Sequence, residues 1–176
     1  MKTNAQLVVA LCALCFGIGT ASAEVFVGAG INNNSYDYDD LDTSTGSKLY
    51  VGYYAENGLF GEVAAIDLGD TQSNLAPLGL SISGLAGYIG YRSQTAVTGL
   101  GGFGKVGAYS FDSDLTAFGS TVATRSSSGL AWSLGLLYAF NKNFALRAEV
   151  EQFVSVEDFA NNESVSGFSA SLEVRF

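Results

Sequence analysis

The acidic side chains are the first candidates for chemistry in this 176-residue chain. The stretch SYDYDDLD (35–42) sets Asp37, Asp39, Asp40 and Asp42 within one short segment. Carboxylates at this density can bind Ca²⁺ weakly, but the segment lacks the glycine and distal glutamate of an EF-hand loop. A solvated acidic loop is the plainer reading. Glu149 and Glu151 are two residues apart, which puts both carboxylates on one face of a strand. Such a pair could do acid–base work, yet a structural ion network fits it better. GLGGFGKVG (99–107) has the glycines and lysine of a phosphate loop, but no helix pattern follows it and Lys105 falls mid-strand, so nucleotide binding is not expected. The chain has no histidine. That removes the Ser–His–Asp triad, the imidazole acid or base and the usual zinc ligand. No catalytic residue, metal site or cofactor is therefore assigned.

The elements that carry these residues begin with a leader. Lys2 is followed by an apolar run (7–19) and by Ala21, Ser22 and Ala23. This pattern predicts a secretory signal peptide over residues 1–23, cleaved before Glu24. Cys12 and Cys15, the two cysteines, lie inside it and are preceded by Leu11 and Leu14 rather than by the small residue that lipidation needs. The expected mature unit is one domain, 24–176, with no cysteine and hence no disulfide. Its net charge is −10, the chain's −9 less the one charge of Lys2. So acidic a chain has no electrostatic case for nucleic acid. Charged residues make up only 14%, against roughly 25% in ordinary soluble domains. No mature segment approaches the roughly 20 apolar residues of a membrane helix.

The hydrophobic period is two. In GLAWSLGLLYAF (129–140), Leu130, Trp132, Leu134, Leu136, Tyr138 and Phe140 fall on one face, and Ala131, Ser133, Gly135, Leu137 and Ala139 on the other. The same rhythm predicts eight strands: 25–31, 48–55, 59–66, 82–91, 97–109, 129–140, 144–152 and 165–176. Their connections alternate. Short ones (56–58, 92–96, 141–143) separate longer polar ones (32–47, 67–81, 110–128, 154–164). The pattern predicts an all-β, eight-stranded antiparallel up-and-down barrel whose two ends face different compartments.

Charge decides which face points outward. Lys48, Glu62, Lys105, Arg147, Glu149, Glu151, Glu173 and Arg175 are mid-strand, four acids and four bases. A narrow, dry interior needs such balance, because an unpaired charge there costs several kcal/mol. Leu49, Val51, Tyr53, Leu146, Val150, Phe168 and Leu172 lie on the opposite face. This favours a transmembrane β-barrel with apolar residues outside. The other reading is a soluble, lipocalin-like barrel with the faces exchanged. The glycines at 99, 101, 102, 104 and 107 blur the fifth strand, serving either to relieve crowding or to allow bending.

LYVGYYAENGLFGEVA (49–64), GFGKVGAY (102–109), LGLLYAFNKNFALRAEVEQF (134–153) and the closing SLEVRF (171–176) resemble the transmembrane domain of outer membrane protein A and its small eight-stranded relatives. The resemblance covers essentially the whole mature chain and rests on the order and spacing of these motifs. It implies a cell outer-membrane location and an inward salt-bridge network on Glu62, Lys105, Arg147 and Glu149. It also implies an assembly signal in the last strand, here Leu172, Val174 and Phe176. A further inward glutamate of the family is replaced by Leu137, so one network partner is missing. The peptidoglycan-binding domain of full-length members has no counterpart, so no tether to the cell wall is expected.

The expected role is non-enzymatic: envelope integrity and surface display. Alternatives are a small ion-conducting channel, a loop-mediated adhesin and, less well supported, a soluble periplasmic lipid carrier. Expected partners are outer-membrane lipid and lipopolysaccharide, with the barrel-assembly machinery and periplasmic chaperones during biogenesis, and the barrel is expected to be a monomer. The acids at 37–42 would meet lipopolysaccharide phosphates through divalent ions.

Overall fold

The computed structural model describes residues 24–36, 43–72, 78–93, 98–117, 120–155 and 164–176. Eight strands form in chain order: β1 (Glu24–Tyr36), β2 (Ser44–Tyr54), β3 (Leu59–Gln72), β4 (Leu78–Arg92), β5 (Gly99–Ala117), β6 (Ser120–Ala139), β7 (Phe144–Ser155) and β8 (Ser164–Arg175). Each pairs antiparallel with its neighbour, and β1 pairs with β8 to close the barrel, from Phe26↔Arg175 to Tyr36↔Val165. Closure leaves no edge in the hydrocarbon, where an unpaired backbone group would cost several kcal/mol.

The faces sort as charge balance requires. All eight mid-strand ionisable residues point inward and are buried, whereas Leu130, Trp132, Leu134, Leu136, Tyr138 and Phe140 point outward and are exposed. A soluble barrel would have them the other way round. From Leu130 to Phe140 the strand advances ten residues, about 33 Å at about 3.3 Å each, or about 25 Å in height at a tilt of about 40°, the height of an outer-membrane barrel's apolar band.

The strands are longer than the apolar rhythm indicates. β5 runs on to Ala117 and β6 starts at Ser120, so most of the expected 110–128 loop is a paired hairpin, with Ser110↔Ser128 and Asp112↔Ser126 among its rungs. Above the hydrocarbon both faces of a strand meet water, so alternation disappears from the sequence while the hydrogen-bond ladder continues. β3 and β4 extend with it, from Asp70↔Ser81 to Gln72↔Gly79, across a bulge between Asp67 and Asp70. At the bulge Gly69 has φ 85°, its N–H donates to Asp67 Oδ1 at 2.8 Å, and Leu68 turns into the barrel mouth.

The interior is filled by rings seated on glycines of neighbouring strands. A Cβ on Gly28 would lie 2.1 Å from the Tyr50 ring; on Gly52, 2.4 Å from Phe26; on Gly90, 2.5 Å from Phe60; and on Gly135, 2.3 Å from Phe103. On β5 itself, a Cβ on Gly107 would strike the Gly87 carbonyl oxygen at 2.0 Å, so there the glycine relieves crowding. Gly102 and Gly104 lie on the outward face, where a Cβ would meet no atom closer than 3.2 Å. An eight-stranded barrel has room for little beyond its own side chains.

Candidate functional site

The interior is layered. Near the short-turn end, Phe26 stacks on Tyr54 with centroids 4.2 Å apart, and Phe60 bridges Tyr54 (5.5 Å) and Phe103 (6.2 Å) edge-on. Near the other end, Phe111 and Phe153 are 5.0 Å apart, and Tyr109 lies 4.6 Å from Phe111. Between these two aromatic layers sits a dry ionic layer.

That layer brings Glu62, Lys105, Arg147 and Glu149 together. Arg147 Nη1 donates to Glu62 Oε2 at 2.6 Å and Nη2 to Glu149 Oε2 at 3.1 Å. Lys105 Nζ lies 2.7 Å from Glu62 and 3.1 Å from Glu149. Two more residues complete it: Lys48 Nζ contacts Glu149 at 2.5 Å and Glu151 at 2.7 Å, and Lys105 reaches Glu151 at 3.1 Å. Three carboxylates thus face three cations. Hydroxyls fill the remaining valences: Ser133 and Ser169 donate to Glu149 (2.9 and 3.2 Å) and Tyr88 to Glu151 (3.0 Å). The Lys105 ammonium also lies 4.0 Å from the Tyr88 ring centroid, and the Arg147 guanidinium 4.2 Å from that of Phe103. Burial without these partners would be prohibitive.

Lys48 and Glu151 were visible as mid-strand charges, but only strand register places them in the layer. The hydroxyl partners carry no signal beyond their inward parity. Leu137, where the resemblance to the outer membrane protein A domain implies an acid, is directly opposite Arg147 and packs in the apolar cluster. Arg147 Nε has no hydrogen-bond partner among the described residues. The layer continues toward the short turns: Glu173 lies 3.7 Å from Arg147 Nη1, and it accepts from Arg175 Nε at 2.8 Å and from Tyr54. At the short-turn rim, Arg92 pairs with Glu24 at 3.0 Å and covers the Tyr54 ring.

Leu172 points outward, and Phe176 is 73% exposed, its N–H donating to Val25 O at 2.9 Å. Val174 pairs with Val27. Asp37, Asp39, Asp40 and Asp42 lie outside the described residues. Among the described residues no three His, Cys, Asp or Glu side chains form a metal-binding group.

Residues 8–176 match the family model of the outer membrane protein beta-barrel domain. The chain belongs to this family. It is accordingly a protein of the cell outer membrane, with its apolar face against lipid. Similar solved structures include Neisserial surface protein A (TM-score 0.64, 17% identity, covering 90% of this chain and 100% of that one). The attachment invasion locus protein Ail of Yersinia pestis is also similar (0.62, 19%, 89% and 100%), as is OprG of Pseudomonas aeruginosa (0.60, 14%, 90% and 98%). At these identities the likeness concerns the fold. No curated protein matches the sequence.

Proposed function

We propose that this protein is a non-enzymatic, monomeric structural barrel that supports the envelope and displays a small sheet at the cell surface. The sheet carries the reading. A membrane strand needs about 9–11 residues, yet β5 has 19 and β6 has 20. The surplus of β3 to β6 forms a continuous, hydrogen-bonded platform above the apolar belt, at the end away from the short turns 55–58 and 141–143. In this family's geometry short turns face the periplasm.

The platform favours contact over transport or catalysis. Its described faces carry Asp70, Asp112 and Asp114 against the base Arg125, with Thr124 and Ser126 donating to Asp114 and Asp112 at 2.6 Å. Ail has been solved in complex with the heparin analogue sucrose octasulfate. This acidic platform would repel such a polyanion, so a cationic or neutral partner fits better here. Glu149 and Glu151, the carboxylate pair whose spacing would suit acid–base work, are held in buried ion pairs and shielded from substrate.

In this reading residues 1–23 are the cleaved signal, 24–176 is the barrel domain, and periplasmic chaperones and the assembly machinery deliver it through the β8 segment that includes Leu172, Val174 and Phe176. The test uses intact cells. An antibody raised to residues 110–128 should bind them, and deletion of the gene should sensitise them to detergent with EDTA. A chain lacking the tip of that hairpin should restore resistance but lose the antibody signal. An inaccessible hairpin, or unchanged sensitivity on deletion, would remove the display or the envelope half of the proposal respectively.

A further inference from the structure

The lipid-facing surface is uneven. On β6 to β8 it is a run of large exposed side chains, Leu134, Leu136, Tyr138, Phe144, Leu146 and Leu172 among them. On β2 to β5, beside the 55–58 turn, it is cut into a trough of about 540 Å³. Tyr53, Leu59, Ile89, Tyr91 and Val106 form its walls, and the backbone at Gly90 and Gly104 forms its floor. Cross-strand register explains the shape. Tyr91 faces Gly104, and Ile89 lies between Gly61 and Val106, so each of two adjacent rows carries one missing side chain among large ones, at Gly61 and at Gly104.

We propose that this trough binds one acyl chain of a glycerophospholipid from the periplasmic leaflet, held in place while the surrounding lipid exchanges. Three observations carry this. First, the trough is continuous with the lipid-facing belt and lies at its short-turn end, so a periplasmic-leaflet lipid is the molecule in contact with it. Second, its volume falls within the range of about 300–1,000 Å³ typical of small-molecule sites. Within a bilayer no hydrophobic force distinguishes protein from lipid, so close packing decides what stays. A flexible chain in a concave apolar trough gains wall contacts that a convex surface cannot offer. Third, the lining of about ten residues is well short of the roughly 20–30 a side of a stable protein interface, which disfavours a second copy as occupant.

Gly104 provides the test. Its φ lies outside the left-handed region, and a Cβ there would meet the flexible end of Leu134 at 3.2 Å and the Ser133 carbonyl oxygen at an ordinary contact distance of 3.8 Å. Gly104→Leu therefore fills the trough without straining the strand. Ala170→Leu, on the lipid face of β8, is the control. The full-length protein, extracted in mild detergent and checked for a folded band before heating, is delipidated and examined by native mass spectrometry. Phosphatidylethanolamine and lipid A are added back separately. Wild type and A170L should retain a single phosphatidylethanolamine adduct that G104L loses. The same adduct in G104L would overturn the proposal. So would retention of lipid A in place of phosphatidylethanolamine, or a dimer in wild type that G104L abolishes.

Discussion

Arg147 Nη1 meets Glu62 Oε2 at 2.6 Å inside the barrel, joining β7 to β3 across 85 residues of sequence. The pair is one link of a neutral layer of six charges, joined through Arg147 to the neutral Glu173–Arg175 pair, so the cost of removing a member depends on the balance left behind in the layer. Glu62→Leu leaves three cations against two acids. Breaking a buried pair in this way typically costs about 3–5 kcal/mol. Glu62→Leu combined with Arg147→Leu leaves two of each and should cost less than Glu62→Leu alone. The urea midpoint of unfolding in lipid vesicles, followed by the fluorescence of Trp132, the only tryptophan, measures both. A double variant as unstable as the sum of the singles would show that charge balance is not what the layer provides.

The two aromatic layers predict a closed barrel. Phe26 and Tyr54 obstruct one side of the ionic layer, and Phe111 and Phe153 the other. Wild-type protein in planar bilayers should give no steady conductance, and neither should Phe26→Ala with Tyr54→Ala, because the second obstruction remains. Opening should require Phe111→Ala and Phe153→Ala in addition. Steady single-channel current from the wild type would instead favour the channel alternative.

Much of this was legible from parity alone. The alternation of Leu130 through Phe140 gives the membrane face, and the four-to-four balance of mid-strand acids and bases gives the interior. What parity cannot give is register. Lys48 on β2 and Glu149 on β7 are 101 residues apart and meet only because closure of the barrel brings β2 and β7 round through β1 and β8. The upper halves of β5 and β6 were hidden for a different reason. With water on both faces, Thr121, Thr124 and Ser126 need no apolar partner, so a real strand reads as a polar loop. Tyr88, Ser133 and Ser169 were hidden because a hydroxyl on an inward face has many possible uses, and only the neighbouring carboxylate selects one.

Phe176 separates assembly from stability. Its ring is exposed, and its described link to the barrel is a backbone hydrogen bond to Val25, which any residue can make. Phe176→Ala should therefore reduce the fraction of protein reaching the outer membrane as a heat-shifting band several-fold. Once folded, the variant should unfold within about 0.5 kcal/mol of wild type, as expected for a surface change. Equal loss in both measurements would make Phe176 an ordinary packing residue.

Gly28 and Tyr50 test the rule that glycines seat the rings. Tyr50 occupies the space a Cβ on Gly28 would need, at 2.1 Å, and its hydroxyl is 3.0 Å from that of Ser171. Gly28→Ala must push the ring away from that hydrogen bond and toward the ionic layer, where Arg147 lies 4.7 Å from its centroid. Overpacking of this kind costs about 1–3 kcal/mol. Tyr50→Phe keeps the ring and should leave that cost in place, whereas Tyr50→Ala removes the clash. In a Tyr50→Ala background, Gly28→Ala should be close to neutral, a coupling of the size that contacting residues show, about 0.5–3 kcal/mol. Equal effects of Gly28→Ala in both backgrounds would place its cost in the β1 backbone and not under the ring.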